Sequence, residues 1–381
     1  MGLAIIGDIH LSKRTWTKKQ DIVDDASVSL QWITNYCIEH RLDVLFLGDQ
    51  FDTNYPPVEM VQVWYSCMDK LSKAGLNIFT IDGNHDPGQQ KTETSEARSW
   101  TKVHPSVKHI DNKCFTYGFK KLAGYDFRPL SQVQEVIDKI NEDKPDIVFM
   151  HQFPKQYGFE NLDNVWDIDL DLIEHPCDVF CGHIHDPKVV QLNNGGCLYV
   201  VGSTNPRSIS EIDDKVFYIL DSETGSLEKK TYPARKVRRF NFIQDSEEAT
   251  AVELDRLKQF ADEPFEFDDP VLDPVKRGLA AITYDGKDVS TFTQVESICV
   301  TKLHTFYQPR FKKCVKLQDV ATESVTLKQI LSDTIKEDER VKRLSLRLLE
   351  SPADLDDAVD SFINELQGEE HDDSAKEHSN A

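Results

Sequence analysis

The sequence predicts an α/β fold: a layered β-sandwich core flanked by helices, then a smaller α+β domain and a C-terminal helix. Three observations carry this. Short apolar runs recur along residues 1–225, segments of helical spacing separate them, and five of the runs end directly in Asp, Asn or His. A short apolar run bounded by turn residues suits a strand buried on both faces, and intervening amphipathic segments suit helices crossing between parallel strands.

The elements follow in order. Leu3 to Ile6, Val44 to Leu47, Ile78 to Ile81, Ile147 to Met150 and Val179 to Cys181 are predicted strands. Asp21 to His40 and Val58 to Ala74 are predicted crossover helices, and Asp86-Pro87-Gly88 is loop chemistry. Cys197 to Val201 and Val216 to Leu220 continue as strands, joined through Gly202-Ser203-Thr204-Asn205-Pro206. A first domain is placed at 1–225 and a second, smaller domain at 226–350. The acidic stretch Asp262 to Pro274 is read as a loop of the latter, Ala280 to Tyr284, Ser297 to Phe306 and Val341 to Leu349 as its strands, and Leu327 to Ile335 as a helix. In the last segment, 351–381, Ser351-Pro352 caps a helix whose face carries Leu355, Ala358, Val359, Phe362, Ile363 and Leu366, ahead of a polar acidic tail. That apolar face suits packing on its own domain or docking on a partner.

Composition bounds the function classes. No apolar stretch approaches the roughly 20 residues of a membrane helix, which with the strand-like N-terminus predicts a soluble intracellular protein and no membrane partner. The eight cysteines contain no C-x-x-C pair and predict buried reduced thiols. The net charge of −22 weighs against nucleic acid, but it is unevenly distributed: ten acids face one base, Lys376, beyond Ser351. Bases gather at Lys229, Lys230, Arg235, Lys236, Arg238 and Arg239, and again at Lys302, Arg310, Lys312, Lys313 and Lys316. Such stripes suit a polyanion backbone or an ordinary solvated surface.

Five clusters carry the chemistry: Gly7-Asp8-Ile9-His10, Gly48-Asp49-Gln50-Phe51-Asp52, Gly83-Asn84-His85-Asp86, Met150-His151-Gln152 and Gly182-His183-Ile184-His185. One histidine after a strand is ordinary; five clusters at strand ends on one rim are not, because that rim is where open α/β sheets bind ligands. Asp, Asn and His in this number suit two divalent ions. Asp49 is the natural bridge, since a carboxylate offers two oxygens. His85, beside Asn84, is placed to protonate a leaving oxygen.

The order D-x-H, GD-x-x-D, GNHD, a lone His and GH-x-H resembles the calcineurin-like metallophosphoesterase superfamily over about the first 225 residues. Gly48 to Thr53, Pro56-Pro57 and Gly83 to Asp86 look like its SbcD branch, the nuclease subunits of double-strand-break repair complexes, which includes T-even-type phage recombination nuclease subunits. The resemblance implies a metal-dependent DNA nuclease, exonuclease or endonuclease, in an SbcCD-like repair or recombination complex. It implies one metal on Asp8, His10, Asp49 and His185 and another on Asp49, Asn84, His151 and His183, with manganese preferred. It also implies a DNA-positioning capping domain, an SbcC-type coiled-coil ATPase partner, and room for a homodimer. His151 lacks the glycine-histidine pair common in the superfamily. Asp52 stands where some relatives carry histidine, and is expected to accept a hydrogen bond from His85 and orient it.

Two other readings share these residues. A small-molecule phosphodiesterase could use the same metal core, and a scaffold with degenerate motifs could recruit an ATPase without catalysis. Protein phosphatases of the superfamily have arginine after the second Asp of GD-x-x-D and end GNH with Glu, whereas Thr53 and Asp86 stand here.

Overall fold

The structure is a computed structural model that describes residues 2–12, 25–86, 100–158, 166–242, 247–284 and 289–307, all within one compact unit spanning 1–311. The capping-domain elements from Leu327 onward and the C-terminal helix lie outside the described residues.

Two six-stranded sheets form the core. The first is built from β1 (Gly2–Ile6), β2 (Leu42–Leu47), β3 (Ile78–Ile81), β4 (Val107–His109), β11 (Val216–Asp221) and β12 (Leu227–Thr231), in the order β12-β11-β1-β2-β3-β4. The second is built from β5 (Lys113–Tyr117), β6 (Lys120–Tyr125), β7 (Ile147–His151), β8 (Asp178–Gly182), β9 (Lys188–Gln191) and β10 (Cys197–Val200), in the order β5-β6-β7-β8-β10-β9. The inner strands of both sheets pair in parallel, and antiparallel strands close the edges at β11–β12, β5 and β9.

The strands' period of two assigns their side chains to layers. Leu3 and Ile5 of β1 join Leu45, Leu47, Phe149, Phe180 and Tyr218 between the sheets. Ala4 and Ile6 point the other way and pack with α1 (Asp25–His40) and α2 (Val58–Lys73), through Leu30, Ile33, Trp64 and Met68. On the outer face of the second sheet, α3 (Val133–Asp143) buries Val136, Ile137 and Ile140 against Val148, Cys181 and Leu198. The result is the predicted layered sandwich, its central strands covered on both faces. Cys37, Cys67, Cys177, Cys181 and Cys299 are buried free thiols.

Beyond β12 a three-stranded parallel sheet, β13 (Val237–Phe242), β14 (Leu279–Tyr284) and β15 (His304–Tyr307), packs with α4 (Glu247–Ala261) and α5 (Val289–Lys302) around Leu257, Ile282, Val295 and Cys299. The predicted strand Ser297 to Phe306 is instead the end of α5 followed by β15. Val295, Cys299 and Leu303 are buried four residues apart, a helical period that a run of β-branched residues concealed. The stretch predicted as a loop, Asp262 to Pro274, carries a short 3-10 turn at Pro270–Val275 that buries Leu272 and Val275 beside α1.

Candidate metal centre

All five predicted clusters emerge from the C-terminal ends of β1, β2, β3, β7 and β8, and the two sheets bring them to one rim. The first two loops are stitched together: the His10 and Ile9 amides both donate to the Asp49 carbonyl at 2.8 and 3.2 Å, and Leu11 bridges Phe51. Three of the candidate ligands sit in left-handed backbone, His10 at φ 53°, Asp49 at 50° and His183 at 80°. That conformation costs about 1–3 kcal/mol per non-glycine residue and persists only where the surroundings impose it, as functional sites do. Gly48 turns the chain at φ +93°. Gly83 has no room for a side chain, because a Cβ there would lie 2.1 Å from Asp49 Oδ1.

Asp8, His10 and His185 form one group of donor atoms, and Asp49, His151 and His183 another. In the first, His10 Nε2 and His185 Nε2 face each other at 3.0 Å, with Asp8 Oδ2 3.9 and 3.7 Å from them. In the second, Asn84 Oδ1 lies 3.1 Å from His151 Nε2 and 2.8 Å from His183 Nδ1. Asp49 Oδ2 borders both groups, 3.6 Å from His10 Nε2 and 3.3 Å from His151 Nε2. His151 Nδ1 lies 2.7 Å from the Leu47 carbonyl, which can only accept, so Nδ1 carries hydrogen and Nε2 is the atom turned to Asp49 and Asn84.

Electrostatics shows what this bowl demands. Burial pushes the Asp8 carboxyl up to about 6 and drives His183 down to about 4. Burial also opposes charge on His151, yet Asp49 and Asp8 outweigh it and push that imidazole up to about 10. Buried carboxylates here call for positive charge in a space built of N and O donors, which is the donor chemistry of divalent ions such as zinc and manganese. The residues therefore fit two ions with one shared carboxylate. The centre is also braced from behind: Glu211 Oε1 lies 3.4 Å from His185 Nδ1, while its other oxygen accepts from Lys215 Nζ at 2.7 Å and Ser203 Oγ at 3.1 Å. Burial works against the Glu211 charge, but His185 and Lys215 hold the carboxyl down at about 2.

His85 stands beside the ligands. Its amide donates to Asp49 Oδ1 at 2.9 Å, and its ring meets that of His10 edge-on at 5.1 Å. The expected bond to the Asp52 carboxylate is not formed. His85 Nδ1 donates instead to the Asp52 main-chain carbonyl at 2.7 Å, because the loop turns the carboxylate away, toward Arg207. Asp52 Oδ1 also lies 3.7 Å from His10 Nδ1. Sequence reasoning missed Arg207, Glu211 and Lys215. Arg207 carried a signal, as the charged residue directly following the Gly202–Pro206 connection out of a strand.

The basic stripe makes contacts within the protein. Arg235 is buried and binds both Asp25 oxygens at 2.7 and 2.8 Å, so it ties α1 to the chain before β13. Lys236 pairs with Glu263, Arg238 donates to the Ile212 carbonyl at 3.1 Å, and Arg239 to the Ile209 carbonyl at 2.8 Å. These two arginines brace the segment that carries Glu211.

Comparison with known proteins matches a calcineurin-like phosphoesterase family model to residues 1–187. Curated relatives include the "DNA double-strand break repair protein Mre11" of Sulfurisphaera tokodaii, 25% identical over 226 residues, 55% of this chain and 55% of the relative. The Mre11 protein of Thermoplasma acidophilum is 22% identical over 96% of this chain and 98% of the relative. A subunit of the SbcCD nuclease of Staphylococcus saprophyticus is 23% identical over 63% of this chain and 71% of the relative. The chain spans about half the length of the first of these relatives and nearly all of the second.

Proposed function

We propose that this chain, which through residues 1–187 belongs to the calcineurin-like phosphoesterases, is a metal-dependent DNA nuclease that hydrolyses phosphodiester bonds within an SbcCD-like repair or recombination complex. The observation that carries the reading is the convergence of seven ligand side chains, from five strand ends, into two groups that share Asp49. Asp8, His10, Asp49 and His185 would hold one divalent ion, and Asp49, Asn84, His151 and His183 the other, with manganese preferred. When bound, such ions supply Lewis-acid stabilisation of phosphoryl charge and acidify water near neutral pH.

The remaining residues do proton and positioning work. With Nδ1 committed to the Asp52 carbonyl, His85 presents Nε2 as the atom that can carry a proton to a departing sugar oxygen, a contribution of about 10² to 10⁴ in rate. Asn84 Oδ1 lies 3.1 Å from His151 Nε2 and 2.8 Å from His183 Nδ1, so the three atoms face one point where an ion would take their lone pairs. Asp52 acts through its main chain on His85 and through its carboxylate on Arg207. DNA as substrate and an SbcC-type ATPase as partner are supported by the relatives' names and by the motif order.

The test is digestion of end-labelled linear duplex beside bis(4-nitrophenyl) phosphate, with and without manganese. Manganese-dependent shortening of the duplex is expected. Hydrolysis of the small diester alone would favour a small-molecule phosphodiesterase, and failure on both would leave a scaffold.

A further inference from the structure

We propose that Arg207 is the substrate-binding residue that grips the phosphodiester at the metal centre, with Asp52 holding its guanidinium in place until a phosphate takes its free edge. This rests on reading the site as a phosphodiesterase.

The backbone that delivers Arg207 is fastened to two ligand loops. Thr204 donates to the Asp8 carbonyl at 2.8 Å, Ser203 to the His185 carbonyl at 3.1 Å, and the Arg207 amide to Glu211 Oε1 at 3.3 Å. Its side chain then reaches back across the rim, where Nη2 pairs with Asp52 Oδ1 beside His10. The guanidinium is close enough that its charge weighs against protonation of both His10 and His185. A positive fork is thus held next to the donor atoms where an anionic diester would lie.

The pairing of Arg207 is incomplete. Nη1 is buried and has no hydrogen-bond partner among the described residues. Arg235 provides the internal contrast, since Nε, Nη1 and Nη2 all have acceptors, in Asp25, the Arg277 carbonyl and the Pro274 carbonyl, and the pair is sealed from solvent. Arg235 is thus saturated and enclosed. Arg207 is neither: its side chain is 20% exposed and that of Asp52 26%, so the pair opens to the rim. A buried N–H without an acceptor is costly, and a phosphate oxygen would satisfy it. Guanidinium is the group whose planar fork matches phosphate on one edge while keeping a carboxylate on another. Asp52 would otherwise repel the diester, and Arg207 cancels that charge.

The experiment compares the full-length wild type with Arg207→Ala and Arg207→Lys. It measures manganese binding, the thermal midpoint, calorimetric binding of inorganic phosphate to the manganese-loaded protein, and KM and kcat on bis(4-nitrophenyl) phosphate. Arg207→Ala is expected to weaken phosphate binding and raise KM by about 10- to 100-fold, the worth of a charge-assisted hydrogen bond. Manganese binding and the midpoint should stay as in wild type, and Arg207→Lys should recover part of the loss. Unchanged phosphate affinity in Arg207→Ala overturns the proposal, as does a fall in midpoint and metal affinity with phosphate affinity intact, which would make the arginine a clamp. A wild type inactive on both duplex DNA and bis(4-nitrophenyl) phosphate sinks the proposed function, and phosphate binding still reports on Arg207 separately.

Discussion

The metal rim and a second histidine–carboxylate group one loop away use the same residue types, yet they are built to opposite ends. Asp82, His109 and Asp126 also bring three potential ligand atoms together. There each polar group answers another: His109 Nε2 lies 2.9 Å from Asp126 Oδ2, the Asp82 amide donates to Asp126 Oδ1 at 2.8 Å, and Thr101 Oγ1 and Lys102 Nζ meet the two Asp82 oxygens at 3.0 and 3.1 Å. At the rim, two imidazole nitrogens oppose each other at 3.0 Å, and among the described residues His10 Nδ1 has no hydrogen bond and the buried Asp8 and Asp49 carboxylates pair with no lysine or arginine. Closeness of His and Asp therefore does not make a metal site. What separates the two is that a lysine reaches the carboxylates of one group, while only histidines and main-chain amides reach those of the other. The closed group serves the open one, since Asp82 lies two residues before Asn84 and anchors the strand end that presents it.

Substitutions can break this comparison. The largest effect is expected from Asp49→Ala, which removes the one carboxylate bordering both groups. Hydrolysis should fall to background and both ions should weaken by more than the roughly 10- to 100-fold that loss of a supporting residue costs. Two tightly bound ions with normal turnover in metal analysis would end the shared-carboxylate reading.

Next in size is His85→Asn, which should keep both ions and lower DNA cleavage by about 10² to 10⁴. Much of that loss should vanish with a nitrophenolate leaving group, which needs no proton. An equal loss on both substrates would remove His85 from the acid role.

Glu211→Gln sharpens the comparison from behind the rim. It keeps the size of the side chain but weakens its hold on His185, so manganese affinity should drop by about 10- to 100-fold at one of two sites. Calorimetry showing two unaltered sites would reduce Glu211 to a fold residue.

Asp126→Asn, in the closed group, should have the smallest functional effect. It loosens buried hydrogen bonds and should cost about 1–3 kcal/mol in urea unfolding. Manganese stoichiometry should stay at the wild-type value; loss of an ion would show that the closed group binds metal as well.

The sequence by itself determined the strand ends and their chemistry. Apolar runs such as Val44 to Leu47 and Val179 to Cys181 are legible because strands covered on both faces have no polar alternation to blur them. The ligand clusters are legible because each follows its run directly. Local pattern failed where burial was partial or β-branched residues filled a helix. β4 and β5 carry lysines at exposed edge positions, and in α5 β-branched neighbours mask the four-residue period of Val295, Cys299 and Leu303.

Tertiary structure alone decided which groups face each other. Asp52 and Arg207, 155 positions apart, give no local hint that their side chains meet, nor do Asp25 and Arg235, 210 positions apart. It also turned the Asp52 carboxylate away from His85 and brought Arg238 and Arg239 to carbonyls on either side of Glu211. Spacing along a chain fixes which residues share a strand end. Only the packing of two sheets fixes which of these groups meet, because residues far apart in sequence come together there only through the fold.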